Sequence, residues 1–201
     1  MRFDAGFLKN YLHVVLDRLK LIAFLNGLFF SCVALVAVVT NYVMTPPEYM
    51  GTVESSLLNS FQGNWFLMFM WIFAFNLVLS AFVVVTLPGV VFFPLSAAML
   101  LYRAVFWGVF VYTLPLGSFF MTLPTLVVEG EAYVLAATAG ILAGVSWTKP
   151  DLLYPAITFS RRAAVRRGLA DGIRIYGLVT VLLLLAAAVE TATIILQFPM
   201  G

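Results

Sequence analysis

The sequence predicts an all-α fold, a polytopic transmembrane helical bundle of about five spans with kinked or broken helices, and three observations predict it. Hydrophobic residues make up 63% of the 201 and charged residues only 10%, far outside soluble usage. The mean hydropathy is +1.06, and the apolar residues fall into long runs separated by short polar ones. The lysines and arginines gather before the first run and between the last two. A soluble enzyme with one anchor, a disordered tail and a disulfide scaffold are excluded, and the chain 1–201 reads as a single membrane domain. The single cysteine, Cys32, has no disulfide partner in the chain and no companion for a thiolate metal site.

Crossing about 30 Å of hydrocarbon takes roughly 20 helical residues. Five stretches are long enough: about 21–44, 65–86, 89–115, 121–147 and 175–198. Arg2, Lys9, Arg18 and Lys20 precede the first, and Lys149, Arg161, Arg162, Arg166, Arg167 and Arg174 lie between the fourth and fifth. The stretches 45–64 and 116–120 contain no basic residue. The positive-inside rule therefore sets the N-terminus and the 148–174 loop in the cytoplasm, with 45–64 and the C-terminus outside a cell membrane. No cleavable signal peptide is expected, because the first apolar run exceeds an h-region and no small-residue cleavage site follows it.

Two amphipathic segments flank the spans. In 1–20, Phe3, Phe7, Tyr11 and Val15 recur at helical spacing opposite Arg2, Lys9, His13 and Asp17, the pattern of an interfacial helix. His13 is expected to pair with Asp17 one turn on, since a metal would need further ligands. In the 148–174 loop, Pro155 is a helix start, and Ile157, Val165 and Leu169 contrast with Arg161, Arg162, Arg166 and Arg167. These four arginines form a surface for anionic lipid or an acidic partner, and they are also what a topology signal alone would produce. A nucleic-acid role is disfavoured, because no recognition motif accompanies them.

Polar groups at bilayer depth are the most informative residues, because an unpaired charge there costs several kcal/mol. Arg103, Glu129, Glu131 and Glu190 are such charges, and Asn76 joins them as an amide. At about 1.5 Å per residue, Glu129 and Glu190 fall roughly 12 Å from the ends of their spans and Asn76 and Arg103 nearer 16–18 Å. Arg103 can thus reach Glu129 or Glu190. One arginine cannot neutralise three glutamates, so at least one carboxyl is expected to be neutral, hydrated or turned to an aqueous vestibule. Pro88, Pro94, Pro115 and Pro124 predict kinks or breaks nearby, with span four beginning as a short re-entrant piece before Glu129. Ala132, Ala136, Ala137, Ala139, Gly140 and Gly144 in span four, with Ala186, Ala187, Ala188 and Ala192 in span five, predict close approach of those two helices.

The stretch PTLVVEGEAYVLAATAG, from Pro124 to Gly140, resembles the stage II sporulation protein M family of integral membrane proteins. That family's signature runs proline-histidine-glycine, then a glutamate, then a small residue and a glycine. Pro124, Glu129, Ala132 and Gly140 stand at those places, and Asn76 with Gly89 resembles the family's asparagine-then-glycine pattern. Thr125 and Leu126 replace the histidine and glycine, so nothing that depends on that histidine carries over. The resemblance covers roughly residues 60 to 200. It implies a multi-span helical fold without established catalytic activity, and sporulating members are similar to scaffolds in membrane complexes with peptidoglycan-remodelling partners.

No nucleophile elbow, zinc-ligand pair, P-loop or dinucleotide fingerprint occurs, and no span carries an aspartate. Neither a catalytic residue, a metal nor a cofactor is expected. The leading expectation is a membrane scaffold or accessory subunit that meets the bilayer and other membrane proteins, or further copies of itself. Its loop 45–64 is apolar enough, with Tyr49, Leu57, Leu58 and Phe61, to lie on a leaflet or a partner. The alternative is a proton- or cation-coupled transporter or channel that uses the intramembrane carboxylates.

Overall fold

The structure, a computed structural model, describes residues 13–44, 61, 64–153 and 160–197, all regular elements of which are helical. Five of its helices are long and apolar enough to cross a membrane. Most of the 1–20 segment, nearly all of loop 45–64 and the helix start expected at Pro155 lie outside the described residues. Within them, His13 Nδ1 is 3.3 Å from Asp17 Oδ2 on an exposed surface.

The first long helix, α1 (Leu19–Val43), buries Ile22, Leu25, Phe29 and Val33 at helical spacing and ends where Met44 turns extended. The second span opens with α2 (Trp65–Ala74), whose first turn is capped by Asn64 Oδ1 accepting from Leu67 N–H at 3.1 Å. It then widens into a π-helix over Phe75–Thr86 before the short α3 (Leu87–Val91). The burial pattern matches the wider winding. Asn76, Ser80, Ala81, Val85 and Thr86 are the buried residues of this stretch. At about 100° per residue these spacings would scatter around an α-helix, whereas i→i+5 winding gathers them on one face.

The second and third spans part at Phe92, which is extended at φ −144°, rather than at the expected boundary of 86 to 89. Pro88 follows the π-helix directly within one continuous span, so its missing N–H leaves a carbonyl of the preceding turn without its helix donor, whereas Pro94 opens α4 (Pro94–Thr113) in the first turn, where a missing N–H interrupts nothing. Pro115 caps α5 (Leu116–Thr148), so the expected 116–120 loop is helical. Pro124 lies inside that uninterrupted helix, and no re-entrant piece forms. A proline removes one donor, and neighbours in a bundle can re-satisfy the carbonyl it frees. After the single turn α6 (Pro150–Leu153), α7 runs from Arg161 to Gln197 as one helix of 37 residues. The basic segment 161–174 is therefore helical and continuous with the fifth span instead of forming a separate surface helix. The intervening sequence, RRAAVRRGLADGIRIYG, contains no proline to stop it.

At the centre stands α5, 83% buried through its apolar window against 22–28% for the other four spans. Its small residues explain this position. Ala132, Ala136 and Ala137 are fully buried, as are Ala186 and Ala187 on α7, and the α5–α7 contact is the most extensive in the molecule. On another side, a Cβ at Gly130 would come within 2.8 Å of the Phe29 ring of α1. Gly108 plays the same part between α4 and α1, where a Cβ would lie 2.8 Å from the carbonyl oxygen of Val33.

Candidate functional site

Glu129 and Tyr133 are one turn apart on α5 and share a face. That face looks toward the π-helix and α4. The Tyr133 hydroxyl is hydrogen-bonded to Glu129 Oε1, receives Arg103 Nη2 at 2.7 Å and lies 3.2 Å from Asn76 Oδ1. Arg103 Nη2 is also 3.4 Å from Glu129 Oε1, and its guanidinium carbon sits 4.7 Å from the centre of the Tyr133 ring. Three spans thus converge on one phenol oxygen. Glu129 and Tyr133 are buried, at 2% and 0% exposure, while the Arg103 side chain keeps 20%. Burial of a carboxylate needs a compensating charge and donors, and this arrangement supplies both. A hydroxyl carries one proton, so Glu129 and Asn76 compete for it.

The other expected polar residues divide. Glu131 turns away from Arg103 and accepts from Asn26 Nδ2 of α1 at 3.1 Å, so it belongs to a different contact. Glu190 of α7 joins Asn76, Arg103 and Glu129 in lining a cavity of about 330 Å³ between the spans. Its remaining walls are largely aromatic, with Trp71, Phe75, Phe106, Trp107 and Phe110. The lining follows helical periodicity. Met68, Trp71, Ile72, Phe75 and Asn76 stand at i, i+3, i+4, i+7 and i+8 along the second span, and Arg103, Phe106, Trp107 and Phe110 at i, i+3, i+4 and i+7 along α4.

A second polar node ties the same helices farther along. Thr86 Oγ1 lies 2.9 Å from the Ala136 carbonyl oxygen, 3.0 Å from that of Ala81 and 2.5 Å from the Tyr176 hydroxyl. Ser96 donates to the Val85 carbonyl at 2.7 Å. Gly89, Gly140 and Gly144 let the backbones approach there: a Cβ at Gly140 would stand 2.7 Å from the carbonyl oxygen of Thr86. Of the positions quoted above as a motif, Asn76 and Glu129 meet at the Tyr133 node, while Gly89 and Gly140 flank Ser96 at this one.

The four arginines Arg161, Arg162, Arg166 and Arg167 are exposed on the first turns of α7, remote in sequence from the cavity, and Arg174 pairs with Asp171 at 2.9 Å. Among the described residues no three His, Cys, Asp or Glu gather as metal ligands. Tyr133, Asn26, Thr86 and Tyr176 were not singled out by sequence reasoning. For Tyr133 a signal existed in its i+4 spacing from Glu129, whereas Thr86 and Asn26 depend on helix rotations that sequence does not specify.

The sequence matches the family model described as Stage II sporulation protein M over residues 21–193, which includes every residue of both nodes. No curated protein and no solved structure matches the chain.

Proposed function

Because the chain belongs to the stage II sporulation protein M family, we propose that it is a non-enzymatic scaffold or accessory subunit of a membrane protein complex. One observation carries this reading: three of its intramembrane charges, Arg103, Glu129 and Glu131, serve as ties between spans. Glu129 is held by Arg103 of another helix and Glu131 by Asn26 of a third, which suits a fixed frame. A scaffold needs such a frame so that its outward faces keep one shape. Those faces are the lipid-side surfaces of the four outer spans, together with the exposed arginines at the start of α7, which suit anionic lipid or an acidic partner. The distribution of basic residues supports a cytoplasmic N-terminus and an external C-terminus. Affinity purification in mild detergent tests the scaffold role. Recovery with other membrane proteins or as a homo-oligomer is expected, and recovery only as a monomer under conditions that keep known complexes intact counts against it.

A proton- or cation-coupled carrier or channel is the second reading, favoured by the presence of both Glu129 and Glu190 on the cavity wall. Flux into proteoliposomes, wild type against Glu129→Gln, separates the two. A flux abolished by the substitution supports transport, and no wild-type flux rejects it.

A further inference from the structure

Opposite the face that α7 buries against α5, its first turns carry a stripe that changes character along its length. Arg162, Arg166, Leu169 and Ile173 stand at i, i+4, i+7 and i+11, which sets them on one side of the helix, and all four are exposed. Ala164, Gly168 and Ile175 are buried on the other side. The two guanidinium groups are uncommitted. Among the described residues no carboxylate pairs with Arg162 or Arg166, whereas Asp171 holds Arg174 at 2.9 Å and Arg167 is engaged within the chain.

The height of this stripe in the bilayer follows from its neighbours. A Cβ at Gly168 would lie 2.4 Å from Ser146 Cβ, so Gly168 stands level with the end of α5. There Trp147 is half exposed and donates its indole N–H to the Val90 carbonyl at 2.7 Å, beside the exposed Val91 and Phe92. Exposed apolar side chains belong at acyl-chain depth and an exposed indole at its edge. Leu169 and Ile173 run inward from that level, while Arg166 and Arg162 lie roughly 3 and 9 Å beyond it along α7. A headgroup layer is about 5–8 Å thick, so both arginine side chains reach the phosphates in it.

That order of residues selects the occupant. A soluble acidic segment would meet the arginines and nothing else on the stripe. A lipid meets both halves with one molecule. The headgroup must carry net negative charge, because a zwitterionic one sets its own cation beside the phosphate and offsets the attraction. We propose that Arg162, Arg166, Leu169 and Ile173 form a binding site for one anionic phospholipid, the guanidinium groups taking its phosphate and the two apolar side chains the first segment of an acyl chain. The site rests on the reading of the α7 arginines as an outward face of the scaffold. Its binding is measured without a partner protein, so its failure leaves the purification test of the scaffold role intact.

Native mass spectrometry of the full chain in neutral detergent tests it by counting bound lipid. The probes are dioleoylphosphatidylglycerol, dioleoylphosphatidylcholine, glycerophosphoglycerol, which is the anionic headgroup without acyl chains, and a decapeptide of glutamate. The first phosphatidylglycerol should bind about thirtyfold more tightly than phosphatidylcholine, at roughly fivefold per arginine. Arg162→Gln with Arg166→Gln should bring the two lipids within about twofold of each other. Lys20→Gln with Lys149→Gln removes the same charge from exposed positions at the same end of the bundle and should leave the preference unchanged. Equal binding of the two lipids by the wild-type chain overturns the proposal, independently of how any variant folds. An equal loss in the lysine pair also overturns it, since a diffuse field would then account for the preference. Glycerophosphoglycerol binding as tightly as the lipid replaces the lipid with a free anion, and displacement of the lipid by an equal concentration of the glutamate peptide replaces it with an acidic partner.

Discussion

The Tyr133 hydroxyl is hydrogen-bonded to Glu129, the residue one turn before it on α5, and the same oxygen receives Arg103 from α4 at 2.7 Å. A helix-local contact thereby becomes an interhelical one. Arg103 approaches Glu129 itself only to 3.4 Å, so the phenol is the better-placed link between the two charges.

Tyr133→Phe should therefore be more destabilising than the loss of an average membrane polar contact. It takes a donor from the buried Glu129 and the nearer acceptor from the part-buried Arg103, for an expected cost of about 1–3 kcal/mol. Tyr102→Phe is the control. Tyr102 is 51% exposed on the same helix as Arg103, and its change should stay within about 0.5 kcal/mol. Unfolding of both variants in mixed micelles, compared with wild type, measures the difference.

The Arg103 and Glu129 charges neutralise one another within the bilayer, so removal of either strands the other. Glu129→Ala should destabilise more than Glu129→Gln, which keeps an acceptor for Tyr133 and removes the charge. Arg103→Ala should resemble Glu129→Ala. The double variant should be milder than the sum of the singles, with an interaction of about 0.5–3 kcal/mol in a double-mutant cycle. Additive singles would show that the pair is not coupled.

Fold class and span number were legible because apolar length is a composition property, and Arg103, Glu129 and Asn76 stood out because charge and amide groups are rare at depth. Their convergence was visible only as overlapping depths. The π-helix at Phe75–Thr86 was not legible, since no proline or glycine interrupts FNLVLSAFVVVT and the wider winding follows from what the neighbouring helices bury. Pro124 misled in the opposite direction. It reads as a break, but α5 runs through it uninterrupted, with Pro124 itself on an exposed side of the helix. Glu131 shows a third kind of difference: two residues from Glu129, it points about 200° around an α-helix and meets Asn26 instead.

Where backbones touch, a methyl group is too large. Gly140→Ala would set its Cβ 2.7 Å from the Thr86 carbonyl oxygen, a backbone atom that cannot rotate aside. The helices must separate, which weakens the Thr86 to Ala136 contact beside it, and a loss of about 1–3 kcal/mol is expected. Gly27→Ala on α1 meets nothing within 4 Å and should be neutral or slightly stabilising through helix propensity. Thermal unfolding of the two variants in the same detergent should move in opposite directions, or only the first should move.

The separation of Glu131 from the Arg103 cluster makes the sharpest test of the site's limits. Asn26 Nδ2 donates to Glu131 at 3.1 Å, tying α1 to α5, whereas Arg103 and Tyr133 tie α4 to α5. The two contacts share a helix but no partner. Asn26→Ala and Glu131→Ala should therefore couple to each other in a double-mutant cycle, each single costing up to about 1.7 kcal/mol, the upper range for membrane polar contacts. Either one combined with Arg103→Ala should add within about 0.5 kcal/mol, as independent sites do. Strong coupling between Glu131 and Arg103 would mean that the carboxylates act as one network and that the cavity site extends to α1.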